Sequence, residues 1–351
     1  MRRYRWHAAV LLLVVLLVGA FLVVSGPGPE PAPGPPTGLP RVLVGMGDST
    51  VSGEAAGDYV DGTDGTDGDW CHRSRNASIH HTAVRGVTET INLACSGAPS
   101  PQVGLGEVKQ YTEGSQAQRL GKLAREKRVV AILVATGAND DPAFSHVLDG
   151  CVQAWFDRGK PGCAATVGDQ WRARVDAMVP KAIRALADIR AVMREAGYQN
   201  SDYQLVLQSY APPISPDVRL ELRNLNGCPF REEDLRWVRE SAVPMMTEGV
   251  REVARESGAR LLDIARAGLG HEACSQTDPA KEWFSRLSVR WADLSDDDRA
   301  SHALQESFHP NAAGHAQIGR CLGEFLGTES RAAACLAGTD GDLHAANSIG
   351  P

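Results

Sequence analysis

The sequence predicts an α/β protein with a parallel sheet, because short apolar runs alternate along the chain with patterns of helical periodicity. The strongest run, over 129–135, is VVAILVA, which is typical of a strand that is buried on both faces. No second linker interrupts the alternation, so we expect one domain. Five strands are predicted, over 41–46, 90–94, 129–135, 203–208 and 260–264.

Helical patterns lie between and after these strands. Apolar residues recur at helical spacing over 116–126, 170–196, 232–257 and 312–326. The remaining long segments are rich in turn-forming and polar residues, and they are predicted to be loops over 57–69, 142–168 and 274–300.

The N-terminus carries an export signal of one of two kinds. Arg2, Arg3 and Arg5 give a positive start, and an apolar run follows over 8–24. The run is long for the core of a signal peptide and slightly short for a bilayer span of about 20 residues. Residues 1–25 are therefore predicted to be a signal peptide or an uncleaved membrane anchor, and either would place the rest of the chain outside the cytoplasm.

The rest of the chain divides into three parts. Residues 26–39 are rich in Pro and Gly and are predicted to form an extended linker. The main folded domain is expected over 40–335, and a flexible C-terminal tail over 336–351. The net charge of −7 and the lack of a basic block after the first residues argue against nucleic acid as a partner.

The cysteines agree with export, because an oxidising compartment favours disulfides. Their number is even, and no CxxC pair suggests a zinc or redox site. We take pairing between sequence neighbours as the hypothesis, with buried free thiols as the alternative. The cysteines, in the order of that pairing, are Cys71 and Cys95, Cys151 and Cys163, Cys228 and Cys274, and Cys321 and Cys335.

Ser49 is the candidate nucleophile. It directly follows the first predicted strand, in the string GMGDSTVSGE. The carboxyl ends of parallel strands form the ligand crevice of such folds, so a serine at this turn presents its hydroxyl to that crevice. The alternative is that Asp48 or Ser49 only caps a short helix.

A serine nucleophile needs a base, and His309 is the best-placed histidine. It lies in ESFHPNAAGH, just before the last helical pattern, where Pro310 suits the first helical turn. A histidine in this loop can reach the crevice. The alternative is an ordinary surface histidine.

Two further strand ends offer hydrogen-bond donors. Gly97 follows the second strand and Asn139 follows the third. The backbone N–H groups of Ser49 and Gly97 and the side-chain amide of Asn139 would form an oxyanion hole with three donors. Alternatively, Gly97 only makes a turn and Asn139 only caps a loop.

The ordered set of Ser49, Gly97, Asn139 and His309 resembles the SGNH, or GDSL-type, hydrolase family over most of residues 41–327. The string from Cys71 to Ser74, CHRS, and the cysteines are similar to the secreted actinobacterial esterase and lipase branch. The resemblance implies a flavodoxin-like three-layer α/β/α sandwich around the five-stranded parallel sheet. It implies Ser49 as nucleophile, His309 as base, the three oxyanion donors, and no metal or cofactor.

One position departs from the pattern of this family, which usually has Asp three residues before the catalytic histidine. Here that position is Glu306. The third member of a triad orients the imidazole and stabilises its charged form. Glu306 either takes this role or leaves it to a backbone carbonyl.

The resemblance implies an exported serine esterase or lipase that acts on a small-molecule or lipid ester. Two alternatives stay open. An enzyme that transfers or removes acyl groups on a cell-envelope glycan would suit attachment to the membrane through the N-terminal segment. A non-catalytic binding module on the same fold is the other alternative.

Overall fold

The computed structural model describes residues 34–140, 144–291, 293–295, 299 and 302–347. The predicted export segment 1–25 lies outside the described residues, as does most of the predicted linker 26–39. The described residues from Pro35 onward form a single structural unit. None of the helices in the described ranges is long and apolar enough to cross a membrane.

A seven-stranded sheet runs through the described part of the chain. Its strands are β1 (Arg41–Gly47), β2 (Glu89–Asn92), β3 (Arg128–Ala135), β4 (Gln204–Gln208), β5 (Arg260–Asp263), β6 (Ala332–Ala337) and β7 (Leu343–Asn347). Their spatial order is β2-β1-β3-β4-β5-β6-β7. Neighbouring strands are parallel, apart from β7, which pairs antiparallel with β6.

The predicted number of five strands was wrong, although all five predicted strands are present. The additional strands β6 and β7 follow the last helix. Strand β7 lies inside 336–351, where we expected a flexible tail. Both strands are rich in alanine, which is depleted in strands, so neither has the run of branched side chains that marks a buried strand.

Eight α-helices connect and flank these strands within the described residues. They are α1 (Ser49–Ser52), α2 (Ser100–Val103), α3 (Gln116–Glu126), α4 (Phe144–Phe156), α5 (Cys163–Glu195), α6 (Glu232–Trp237), α7 (Val243–Ser257) and α8 (Ala312–Leu326). A π-helical turn over Val238–Ala242 joins α6 to α7.

The helices pack in two groups. Helix α5 contacts both α3 and α7, and these helices in turn contact strands of the sheet. Helix α8 instead contacts the 3₁₀ turn Ser78–His81 and strands β6 and β7. The sheet is mostly parallel and nearly all of β3 is buried, so the predicted α/β class and the SGNH hydrolase fold are confirmed.

The prediction of a loop over 142–168 was wrong, because this segment contains α4 and the start of α5. The helical pattern of α4 is short and contains Gly150, which weakens it as a helix signal. A disulfide between Cys151 and Cys163 fastens α4 to the beginning of α5.

Disulfides are confirmed, and each joins cysteines that are neighbours in sequence. They are Cys71–Cys95, Cys151–Cys163, Cys228–Cys274 and Cys321–Cys335. No cysteine is left free. The first disulfide lies beside the end of β2, and the last one ties α8 to β6.

Candidate active site

Ser49 lies where β1 ends. Gly47 faces Ala135 of the neighbouring parallel strand and has a φ of 126°, and a side chain at Gly47 would collide with the Ala135 carbonyl oxygen. Asp48 then caps α1 by accepting a hydrogen bond of 3.0 Å from the N–H of Thr50. Ser49 is therefore the first residue of α1, and it faces a pocket at the carboxyl ends of the strands.

His309 lies beside Ser49, although the two residues are far apart in sequence. Nε2 of His309 is 2.9 Å from Oγ of Ser49, and Nδ1 of His309 is 3.0 Å from the carbonyl oxygen of Ser307. Because a carbonyl oxygen can only accept, Nδ1 carries the proton of the neutral imidazole. Nε2 is then unprotonated, and the Ser49 hydroxyl donates its hydrogen bond to the nitrogen that would receive its proton.

Ser285, which the sequence analysis missed, holds the loop that carries His309. Its hydroxyl donates to the carbonyl oxygen of Glu306 at 2.5 Å and accepts from the N–H of His309 at 3.3 Å. Its own N–H donates to the His309 carbonyl oxygen at 2.9 Å. The loop also contains Phe308 at a φ of 59°, a backbone conformation that needs such support.

Within the described ranges, Glu306 makes no hydrogen bond to His309. Its Oε1 accepts a hydrogen bond of 2.9 Å from the hydroxyl of Tyr59, and the position at Nδ1 of His309 is taken by the Ser307 carbonyl. The group that bonds to Nδ1 of His309 in this structure is therefore a backbone carbonyl and not the Glu306 carboxylate.

The three candidate oxyanion donors, Ser49, Gly97 and Asn139, line the same pocket as His309. Within the described ranges, no acceptor pairs with the N–H groups of Ser49 and Gly97 or with the Asn139 side-chain amide. Gly97 has a φ of 75°, which favours glycine. Among the described residues, the three donors that have no acceptor thus belong to residues that line the pocket in which the Ser49 hydroxyl lies.

A disulfide and two hydrogen bonds position Gly97. Cys95 is bonded to Cys71, and the N–H of Ser96 donates to the Cys71 carbonyl oxygen at 3.1 Å. The side chain of Gln110 donates to the Ser96 carbonyl oxygen at 3.0 Å. Gly97 is therefore held on its N-terminal side by a covalent link.

Asp48 is fully buried beneath the site. Its Oδ2 accepts a hydrogen bond of 2.6 Å from the hydroxyl of Tyr210, whose oxygen in turn accepts from the N–H of Ala138 at 3.3 Å. Burial raises the pKa of Asp48 to about 6, and the hydrogen bonds from Tyr210 and Thr50 oppose that rise. Tyr210 thus connects the residue before the nucleophile to the residue before Asn139.

Burial also lowers the pKa of His309 below its ordinary value. The negative charge of Glu54 and the hydrogen bond from Nδ1 to the Ser307 carbonyl act in the opposite direction. A lowered pKa keeps the imidazole neutral at neutral pH, which a general base requires.

The pocket in front of Ser49 has a volume of about 420 Å³, a size that holds a small organic ligand. Several apolar side chains share its wall with the polar groups described above. They are Phe144, Leu148, Ile264, Phe284 and Phe308. The pocket can therefore receive an apolar group next to the hydroxyl of Ser49.

One cluster near the pocket offers metal-ligating atoms. Glu54, His72 and Glu306 each present one such atom, and these atoms lie within 4.8 Å of one another. Protein groups already engage both carboxylates and Nδ1 of His72, because Nδ1 of His72 contacts Glu54 and Tyr59 donates to Glu306. We assign no metal to this cluster.

The sequence analysis identified Ser49, His309, Gly97 and Asn139, and the structure brings all four to one pocket. It missed the groups that hold them in place. Ser307 acts through a backbone carbonyl, for which no sequence signal exists. Tyr210 and Glu54 offered one weak signal each: a tyrosine just after a predicted strand, and an acidic residue just after the nucleophile turn.

A serine hydroxyl bonded to a histidine at one edge of a mostly parallel α/β sheet is an arrangement found in a class of serine hydrolases. The family model of GDSL-like lipases and acylhydrolases matches residues 46–317. The chain belongs to the GDSL-like lipase/acylhydrolase family and is an ester-hydrolysing enzyme.

Two solved structures have a similar fold. Phospholipase A1 from Streptomyces albidoflavus is 24% identical with a TM-score of 0.54, and the match covers 80% of this chain and 96% of that chain. An extracellular lipase from Streptomyces rimosus is 20% identical with a TM-score of 0.53, and the match covers 78% of this chain and 94% of that chain. Among curated proteins, no significant match was found.

Proposed function

We propose that this chain is an exported carboxylesterase or lipase in which Ser49 is the nucleophile and His309 is the general base. The observation that carries the proposal is the distance of 2.9 Å between Ser49 Oγ and the unprotonated Nε2 of His309. Nucleophile and base are within hydrogen-bond reach, and a third group, the Ser307 carbonyl, orients the base.

The reaction then has two steps. Ser49 Oγ attacks the ester carbonyl carbon while its proton passes to Nε2 of His309, and the same proton passes on to the leaving alcohol. Water attacks the resulting acyl-enzyme, again with His309 as base, and releases the carboxylic acid and the free serine. The N–H groups of Ser49 and Gly97 and the Asn139 amide donate to the oxyanion in both steps.

Export is supported by the four disulfides, which suit an oxidising compartment, and by the positive and apolar start of the sequence. The apolar side chains in the pocket wall favour an ester with an apolar acyl group. No observation on the described ranges favours acyl transfer to an envelope glycan, or a role in binding alone, over hydrolysis.

Labelling with a fluorophosphonate probe, followed by peptide mapping, tests the proposal. The probe should attach to Ser49, and Ser49→Ala should abolish both labelling and hydrolysis of p-nitrophenyl butyrate. Ser52→Ala is the matched control, because Ser52 lies on the same short helix and its hydroxyl bonds to the Ser49 carbonyl oxygen. Turnover by Ser49→Ala, or label on another residue, would refute the assignment.

A further inference from the structure

A buried carboxylate lies next to the nucleophile turn. The N–H of Glu54 donates to the Ser49 carbonyl oxygen at 3.2 Å. The side chains of Glu54 and His72 are both fully buried, and Oε1 of Glu54 is 2.6 Å from Nδ1 of His72. Water does not screen a charge in this position, so its field reaches neighbouring groups more strongly than that of a surface carboxylate.

The same carboxylate holds the loop that carries His309. Oε2 of Glu54 accepts a hydrogen bond of 2.8 Å from Nε2 of Gln305. Gln305 also donates to the Trp70 carbonyl oxygen at 3.0 Å, and its Oε1 is 2.7 Å from Nδ1 of His302. Glu54 thus connects the turn that carries the serine to the loop that carries the histidine.

Among the described residues, the titratable groups that interact with His309 include Glu54, His72, Glu306, Asp149 and His315. Burial has the largest effect and lowers the His309 pKa, and the charge of Glu54 has the next largest effect and raises it. Burial also disfavours the ionised form of Glu54. The hydrogen bond and charge of His72 are the largest effects in the opposite direction, and the pKa of Glu54 lies below its usual value.

We propose that Glu54 is a positioning residue for catalysis: its buried carboxylate balances the positive charge that forms on His309, and it holds the His309 loop through Gln305. This inference rests on the proposed roles of Ser49 and His309. The proton moves from Ser49 Oγ to His309 Nε2 and then to the leaving alcohol, and Glu54 neither gains nor loses a proton. Its contributions are the fixed negative charge and the hydrogen bond that it accepts from Gln305.

This role explains how the pair works without a carboxylate at Nδ1. The Ser307 carbonyl fixes the orientation of the imidazole but carries only a partial charge. Glu306 is turned towards Tyr59, and that ring stacks on His72 with a centroid separation of 4.3 Å. Glu54 is fully buried, and among the described residues its charge has the largest effect on His309, so it supplies the charge that the third member of a triad usually provides.

Glu54→Gln removes the charge and keeps the shape of the side chain. With p-nitrophenyl butyrate, we expect kcat to fall about tenfold while KM is unchanged, because the lost stabilisation concerns a charge formed only in the transition state. The acid limb of the pH profile should move to lower pH, because the His309 pKa falls when the carboxylate is removed. A purely structural role would lower the rate without this shift.

Glu306→Gln is the matched control, since it neutralises a carboxylate on the His309 loop that bonds to Tyr59. We expect less than about a threefold change in kcat and a smaller shift of the acid limb. The rate of Ser49 labelling by a fluorophosphonate, measured against pH, should change more in Glu54→Gln than in Glu306→Gln. This measurement does not depend on the choice of ester.

Glu54→Gln leaves His72 buried without its carboxylate, which can prevent folding. The double variant Glu54→Gln/His72→Gln places two amides opposite each other and tests the same prediction. Its acid limb should also move to lower pH, because Glu54 acts on His309 more strongly than His72 does. A wild-type rate and an unmoved acid limb in the folded variant would overturn the role of Glu54. The proposed roles of Ser49 and His309 would not be affected by that result. Absence of labelling in the wild type would instead remove the proposed function.

Discussion

The hydroxyl of Tyr210 donates a hydrogen bond of 2.6 Å to Asp48, the buried residue that precedes Ser49. Burial raises the pKa of Asp48 to about 6, from 3.8 in a solvated chain. Between these two values the folded protein binds more protons than the unfolded protein. The ionisation of Asp48 therefore lowers the free energy of unfolding as the pH rises from about 4 to about 6.

Asp48→Asn should remove this dependence and keep the cap on the N–H of Thr50. Relative to wild type, the free energy of unfolding of the variant should increase by up to about 3 kcal/mol between pH 4 and pH 7. Urea unfolding of both proteins at several pH values measures the difference. Parallel pH curves for the two proteins would show that Asp48 is ionised at no cost in the folded state.

Glu306→Ala should leave the rate nearly unchanged, within about threefold of wild type, because the Ser307 carbonyl orients His309 and Glu306 bonds to Tyr59. Steady-state hydrolysis of p-nitrophenyl butyrate measures this effect. Tyr59→Phe is the control for loss of the hydrogen bond alone. A fall of a hundredfold or more in kcat would instead indicate that Glu306 orients the His309 imidazole.

Asn139→Ala should lower kcat by about a hundredfold or more with little change in KM, because an oxyanion donor acts mainly in the transition state. Steady-state kinetics with a p-nitrophenyl ester separates the two constants. Asn226→Ala is the control, since Asn226 is an exposed loop residue away from the pocket. An equal loss in both variants, or a change confined to KM, would remove Asn139 from the oxyanion hole.

Two of the disulfides should contribute similarly to stability but differently to activity. Opening Cys71–Cys95 or Cys321–Cys335 by replacing both cysteines with alanine should cost about 2–4 kcal/mol of stability in each case. Only the first replacement should also lower kcat, because only that disulfide leads directly to Gly97. Thermal melts and kinetics on the two double variants test this, and equal effects on kcat would contradict it.

The fold class was predictable because the first five strands carry strong local signals. Strand β3 is an uninterrupted apolar run, and each of the next strands follows a long helical pattern. Strands β6 and β7 carry no such signal. Their alanine-rich residues become strand through pairing with β5 and with each other, and a single sequence does not display that pairing.

The positions of the candidate reacting groups were predictable for a related reason, since each follows a strand end or precedes the last helix with a recognisable residue type. The groups that hold these residues in place were not predictable. The Ser307 carbonyl is a backbone group that every residue possesses, and the bond between Glu54 and Gln305 joins positions 251 residues apart. Such contacts follow from the tertiary structure and leave no trace in local periodicity.

Ser49 and His309 are separated by 260 positions along the chain. Under the proposed mechanism, the ribosome must make most of the polypeptide before the serine can meet its base. The growing chain therefore cannot hydrolyse esters during most of its synthesis. An N-terminal fragment that ends before His309 cannot be a working enzyme.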